Sequence, residues 1–139
     1  MKKMILMLMM AVSMIAASTA VKAQSSTTMS LAAGDTIVNT GTSAKIIQVT
    51  GSPSGIAITA VLAKLSGTNG GTVGIYGSPD GTNYDLIGST YSITTATAQS
   101  KTFYITAPLP SYIKILGTGT GTMSTVLTVK YRTTYYQPK

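Results

Sequence analysis

The sequence contains no histidine, cysteine, glutamate or tryptophan, and its acids are Asp35, Asp80 and Asp85 alone. General acid–base catalysis relies mainly on His, Glu and Asp, and nucleophilic catalysis pairs a Ser, Cys or Thr with a nearby base. Zinc is bound mainly by Cys, His and carboxylates. Because most of these side chains are missing, we expect a protein that is not an enzyme and that uses no cofactor and no metal.

The first 23 residues have the layout of a secretory signal peptide. Lys2 and Lys3 form a positive n-region, residues 4–17 are apolar, and Val21-Lys22-Ala23 has a pattern that signal peptidase accepts. The apolar run is shorter than the roughly 20 residues of a membrane-spanning helix. We therefore expect cleavage after Ala23 and a bacterial protein that is secreted, periplasmic or at the cell surface, without a transmembrane segment. The alternative is an uncleaved membrane anchor.

Loss of the leader would also lower the net charge. The full chain has ten Lys and Arg against three acids, a formal net charge of +7, and removal of Lys2, Lys3 and Lys22 leaves seven cations and a charge of +4. The remaining cations are scattered, whereas nucleic-acid binding favours a clustered basic stripe with aromatic or Arg readers. We expect no nucleic-acid partner.

Composition and spacing predict an all-β domain. Thr, Ser and Gly dominate after the leader, and extended segments recur about every ten residues, as in a sandwich or barrel. We predict one antiparallel β-sandwich over residues 35–139, of jelly-roll or immunoglobulin-like type, with about eight short strands. Residues 24–34 are predicted to form a flexible tail, or alternatively a strand donated to a neighbouring subunit. The predicted strands cover residues 36–38, 45–50, 56–65, 72–78, 84–89, 101–106, 112–116 and 125–133.

Alternation along these segments assigns their faces. Ile113 and Ile115 share one face and Lys114 points to the other, as in a half-buried strand. The same rule predicts a core of Ile58, Val73, Ile75, Leu86, Phe103, Ile105, Ile113, Ile115, Leu127, Val129 and Tyr131.

The segment Ile56 to Leu65 is compatible with two structures. Ile58, Val61, Leu62 and Leu65 have the spacing of a helical stripe. The segment is nevertheless short, rich in β-branched residues, and followed by turn residues and another extended run. We favour a strand.

The segment Ser78-Pro79-Asp80-Gly81-Thr82-Asn83-Tyr84 is a turn signal. Pro79 presets φ, Asp80 can bond its own backbone, and Gly81 accepts a positive φ. It predicts a hairpin between residues 72–78 and 84–89. The pattern resembles the hairpin of discoidin-like, galactose-binding-like jelly rolls, and it is also similar to small β-sandwich proteins of phage virions. The first resemblance implies carbohydrate binding and the second a structural role in a virion.

Three groups of residues are candidate sites. Tyr76, Tyr84, Tyr91 and Tyr104 could form an aromatic platform for a sugar ring. Asp80, Asn83 and Asp85 could supply oxygens to calcium, although a turn-forming Asp80 is favoured because calcium takes six to eight oxygens. Tyr131, Arg132, Tyr135 and Tyr136, with Lys139, form a basic aromatic C-terminus that could dock a partner, although a last strand with a frayed end is favoured. The predicted ligand-binding set is Tyr76, Asp80, Asn83, Tyr84 and Tyr104.

The sequence therefore predicts a secreted, non-catalytic β-sandwich with a structural or adhesion role at the cell envelope or in an extracellular assembly. Its partners would be further copies of itself, other envelope proteins or glycans. A carbohydrate-binding module of jelly-roll type is the first alternative, and a phage-derived virion protein is the second.

Overall fold

The computed structural model describes the backbone of residues 26–30 and the whole of residues 35–135, to which all structural statements refer. These residues form ten strands and no helix, which confirms the all-β prediction. The strands are β1 (Ser26–Ser30), β2 (Asp35–Val38), β3 (Thr42–Gln48), β4 (Gly55–Gly67), β5 (Gly71–Ser78), β6 (Asp85–Leu86), β7 (Tyr91–Ser92), β8 (Ala98–Thr106), β9 (Tyr112–Gly119) and β10 (Met123–Thr134).

The strands pack as two antiparallel sheets with the connectivity of a jelly roll. One sheet, called here the β4 sheet, has the order β1-β10-β4-β8, with β2 beside β1 on the same edge of β10. The other, called the β5 sheet, has the order β3-β9-β5-β6, with β7 also paired to β5. Early strands pair with late ones in nested fashion, β2 with β10, β3 with β9, β4 with β8 and β5 with β6. This nesting is that of a double-sheet jelly roll, so it selects the first of the two predicted sandwich types.

The predicted hairpin is the centre of this nesting. Tyr76 lies five residues before Gly81 and its partner Leu86 five residues after it. Ile37 lies 44 residues before Gly81 and its partner Thr125 44 residues after it. The chain is therefore one long antiparallel ribbon folded back at the Asp80-Gly81 turn and wrapped into two sheets.

The inner faces of the two sheets form an aliphatic core. Side chains at alternate positions of each strand point inward, and a fully buried side chain of this size contributes roughly 1.5–3 kcal/mol. The buried hydrophobic residues are Ile37, Ile47, Ile56, Ile58, Ala60, Leu62, Val73, Ile75, Ile93, Ile113, Ile115, Met123, Leu127 and Val129. Phe103, Ile105 and Tyr131 are partly buried against them. With no cysteine in the chain, this core and the strand pairing hold the domain together.

Several predictions can be compared with these strands. Residues 56–65 form part of β4, and Leu65 at the end of the apparent helical stripe is 61% exposed. Leu86 was wrongly assigned to the core: it pairs with the outward-facing Tyr76 and is 46% exposed, whereas Ile87 packs against the core. Strand β7 was not predicted.

The predicted flexible tail over residues 24–34 differs from the structure at residues 26–30. These residues form β1 and pair with residues 130–134 of the same chain's β10. Backbone pairing needs no apolar periodicity, which is why this small and polar segment gave no strand signal. The predicted leader, residues 1–23, lies outside the described residues.

Candidate functional site

The polar side chains of the hairpin turn form hydrogen bonds within the turn itself. The Asp80 carboxylate accepts hydrogen bonds from the Ser78 hydroxyl at 2.8 Å and from the backbone N–H groups of Thr82 at 2.8 Å and Asn83 at 2.9 Å. Its second oxygen accepts one from the Asn83 amide at 2.8 Å. The bonds from Asn83 and Thr82 are the main reason why the pKa of Asp80 lies well below its usual range. Two of the predicted ligand-binding residues, Asp80 and Asn83, are therefore bonded to each other and stabilise the turn.

The outer face of the β5 sheet carries a lysine between two tyrosine rings. Lys114 of β9 lies directly opposite Tyr76 of β5, and its Nζ is 4.1 Å from the centroid of the Tyr84 ring and 5.6 Å from that of Tyr76. Gly74 leaves space for this arrangement, because a Cβ there would come within 3.0 Å of the Tyr76 ring. Lysine over an aromatic face is attractive. On this face the cation and the rings are bound to one another.

The outer face of the β4 sheet carries an open groove. Strand register places Tyr104 of β8 opposite Ala57 of β4, and Ala57 opposite Arg132 of β10. Tyr104 is 80% exposed and Arg132 is also exposed. The groove between them has a volume of about 510 Å³. We refer to it as the β4 groove, and its lining residues are Ala57, Thr59, Val61, Ser100, Thr102, Tyr104, Lys130, Tyr131 and Arg132.

The basic aromatic C-terminus is divided between the interior and the surface. Tyr131 packs against the core, and the Tyr135 hydroxyl donates a hydrogen bond of 3.3 Å to the backbone oxygen of Thr50 at one end of the sandwich. Arg132, between them, points to the outer face. Tyr136 lies outside the described residues. The described members of this predicted docking set, Tyr131, Arg132 and Tyr135, therefore do not all share one face.

The structure regroups the predicted site residues. Tyr104 is separated from Tyr76 and Tyr84, whose rings lie at the outer face of the other sheet, and Tyr91 packs against the core. Tyr104 instead shares a groove with Arg132, which belonged to a different predicted set. The floor residue Ala57 was missed because it carries no chemistry of its own.

The remaining acids lie away from the β4 groove. Asp35 forms an ion pair of 3.0 Å with Lys45, which joins β2 of one sheet to β3 of the other, and Asp85 is exposed beside the hairpin turn. Across residues 35–135, no group of three acids lies close enough together to hold a metal ion. The described residues also contain no helix long and apolar enough to cross a membrane.

Comparisons with known proteins support the fold. No family model and no curated protein matches the chain. Among solved structures, the PBSX exported protein XepA superposes with a TM-score of 0.58 at 8% identity, over 81% of this chain and 38% of XepA. The chain thus spans well under half the length of XepA. At this identity the likeness shows a shared β-sandwich fold.

Two further structures are similar at lower scores. The disulfide-linked pilus protein of Bacillus endospore appendages has a TM-score of 0.42 at 18% identity, over 84% of this chain and 88% of its own. The CBM22-1 xylan-binding domain from Paenibacillus barcinonensis has a TM-score of 0.48 at 12% identity, over 86% of this chain and 100% of its own.

Proposed function

We propose that the chain is a secreted, non-catalytic adhesion module of the cell envelope or an extracellular assembly, which attaches to its partner through the β4 groove. The observation that carries this proposal is the pair Tyr104 and Arg132, both exposed and held on opposite sides of Ala57. Exposed aromatic and Arg side chains are enriched at binding hot spots.

The roles of the acids support a function without catalysis. The carboxylate of Asp80 is bonded within its turn, and that of Asp35 is paired with Lys45. Neither acid lines the β4 groove, nor does Asp85. A general acid or base must lie within hydrogen-bond reach of the proton it moves, so a substrate in the groove would have no carboxylate beside it.

Fractionation of cells that produce the full chain tests the proposal. We expect a mature N-terminus at Gln24 and retention of the protein in the envelope or extracellular matrix fraction. The double variant Tyr104→Ala/Arg132→Gln should be exported and folded but released into the medium. The control Ile46→Ala/Lys101→Gln removes one exposed apolar side chain and one exposed cation outside the groove, and it should be retained. Equal retention of both double variants would contradict attachment through the groove.

Assembly by strand addition is a second candidate, favoured by the edge of β8 that pairs with no described strand. The Lys64 N–H donates a hydrogen bond of 2.9 Å to the Thr97 oxygen, so Lys64 and Thr97 form a hydrogen-bonded pair of the antiparallel ladder. The register between β4 and β8 has no shift, so hydrogen-bonded and non-hydrogen-bonded pairs alternate along it from there. The N–H groups of Ser100, Thr102 and Tyr104 therefore point away from β4 and could pair with another strand. This role would suit either an envelope assembly or a phage-derived virion.

One feature of the same edge opposes such assembly. Lys101 lies opposite the fully buried Ala60, so it starts from the inner face of the edge strand. Inward-pointing charges on edge strands protect against edge-to-edge pairing. Strand addition at β8 would have to accommodate this charge, which is why we rank assembly second.

The substitution Ser100→Pro separates the two candidates. It removes an outward N–H and leaves the bonds to β4 intact, and proline is tolerated at such edge positions. If the protein assembles through β8, light scattering and negative-stain microscopy should show assemblies for the wild type and for Ser100→Ala, but monomers for Ser100→Pro. Monomers for all three proteins would exclude assembly through this edge.

A further inference from the structure

The β4 groove has the dimensions of a site for a chain of rings. Tyr104 and Arg132 lie on strands separated by β4, so their backbones are two strand spacings apart, about 9.6 Å. Ala57 between them contributes only a methyl group to the floor. Neighbouring rows of outward side chains are about 6.8 Å apart along the strands. Each row consists of one outward residue from β8, one from β4 and one from β10, and the three rows begin at Tyr104, Thr102 and Ser100. Together they form a trough whose floor is β4 and whose long axis is parallel to the strands.

The two walls of the groove differ in chemistry. The β8 wall presents the ring of Tyr104, which is apolar on its face and polar at its tip, as stacking on a sugar ring requires. Next to it, the hydroxyls of Thr59 and Thr102 share one hydrogen bond of 2.9 Å. One of the two hydroxyl protons is used in that bond, so the other remains available to a ligand oxygen.

The β10 wall is cationic. Lys130 and Arg132 are exposed and project from the same face of β10, two residues apart. Arg presents a planar fork of donors that matches a carboxylate, and such bidentate pairs are among the stronger hydrogen bonds. None of the described residues that line the groove carries a carboxylate. The charge of the groove is therefore complementary to an anionic ligand.

The combination of walls discriminates between anionic polymers. Single-stranded nucleic acid binds to grooves that offer an aromatic ring to each of several successive bases along a basic track. The β4 groove instead has one exposed ring, that of Tyr104, and several small hydroxyl side chains. An acidic peptide that adds to a sheet pairs with a strand edge and does not lie across a face. A sugar chain with carboxylates matches the ring, the hydroxyls and the cations together.

We infer that the β4 groove binds an acidic polysaccharide, with a sugar ring stacked on Tyr104 and a uronate carboxylate held by Arg132 and Lys130. This inference rests on the proposed function, because it names the ligand class of the same groove. Polygalacturonate is a simple probe of this class, and dextran is a neutral comparison.

Affinity electrophoresis of the purified full chain in gels that contain each polymer tests the inference. We expect retardation by polygalacturonate and none by dextran. Arg132→Gln should weaken polygalacturonate binding about tenfold or more, the loss of a hydrogen bond to a charged group. Arg132→Lys should recover only part of the binding, since it restores the charge without the fork. Tyr104→Ala should weaken binding about fivefold, because it removes the stacking ring.

The control Lys101→Gln distinguishes a built site from general attraction to a polyanion. It removes the same unit charge from the same sheet but from a side chain outside the groove, and it should weaken binding less than twofold. Equal losses for Lys101→Gln and Arg132→Gln would overturn the inference, as would tighter binding to an oligothymidylate than to polygalacturonate. If groove variants lose envelope retention while polygalacturonate is not bound, the ligand class is wrong and the proposed function stands. If retention is also unaffected, both are wrong.

Discussion

The outer faces of the two sheets use the same residue types to opposite effect. On the β5 sheet, Tyr76 and Lys114 are direct neighbours in register, and the lysine packs onto the rings of Tyr76 and Tyr84. On the β4 sheet, Tyr104 and Arg132 have the same kind of chemistry, but Ala57 stands between them. On the β5 sheet the tyrosine and the cation are on adjacent strands and contact each other, whereas on the β4 sheet one strand lies between them and both side chains remain exposed. The spacing of a tyrosine and a cation across strands, and not their presence, therefore decides whether a face can bind a partner.

Filling the gap should abolish this difference. Ala57→Leu places a branched side chain between Tyr104 and Arg132, so ligand binding at the β4 groove should fall by a factor of about 30, roughly 2 kcal/mol. Stability should change by less than about 0.5 kcal/mol, because the site is on a partly open outer face. The matched control Ala44→Leu adds the same side chain to the outer face of β3, where Ala44 is exposed. It should leave binding unchanged, as measured by affinity electrophoresis.

The two faces should also differ in how their tyrosines affect stability. Tyr84→Ala removes the ring under Lys114 and should lower the free energy of unfolding by about 1–2 kcal/mol, from lost burial and cation–π attraction. Tyr104→Ala removes an exposed ring and should cost less than about 0.5 kcal/mol. Urea denaturation of both variants measures the difference. Equal losses would mean that Tyr104 has a structural role, which contradicts its assignment to a binding groove.

Much of this fold could be predicted from local patterns. The alternation in β9 and β10 identified Ile113, Ile115, Leu127 and Val129 as core, and the turn residues identified the hairpin at Asp80. These features depend on neighbours in the chain, so a sequence reveals them directly.

The binding face could not be predicted in the same way because it depends on register between distant strands. Ala57 and Tyr104 are 47 positions apart in the sequence, and Ala57 and Arg132 are 75 apart, yet each pair lies side by side. Nothing in the composition of either strand states that register. The hairpin centre does not supply it either: Ala57 lies 24 positions before Gly81, whereas Tyr104 lies 23 and Arg132 51 positions after it. A shift of one residue exchanges the two faces of a strand.

Low pH should lower the stability of the β5 sheet because it protonates Asp80 in the hairpin turn. The pKa of Asp80 is depressed in the folded state from its ordinary value of 3.8, so its bonds contribute stability above that value and are lost progressively as pH falls below it. In Asp80→Asn this part of the pH dependence should be absent. Denaturant midpoints measured from pH 7 down to pH 2 for both proteins test this, and parallel curves would show that the carboxylate of Asp80 contributes nothing. Binding by the β4 groove to a ligand that stays ionised should not follow the Asp80 titration.

The smallest effect is expected from the hydroxyl of Tyr84. This oxygen is buried and has no hydrogen-bond partner among the residues that the structure describes. A buried polar group without a partner costs free energy, so Tyr84→Phe should leave stability unchanged or raise it by up to about 1 kcal/mol while the ring stays over Lys114. Thermal unfolding of Tyr84→Phe beside Tyr84→Ala separates the two parts of the side chain. A loss in Tyr84→Phe as large as that in Tyr84→Ala would place the stabilisation in the hydroxyl, and the packing of Lys114 on the ring would then no longer explain why the β5 face is closed.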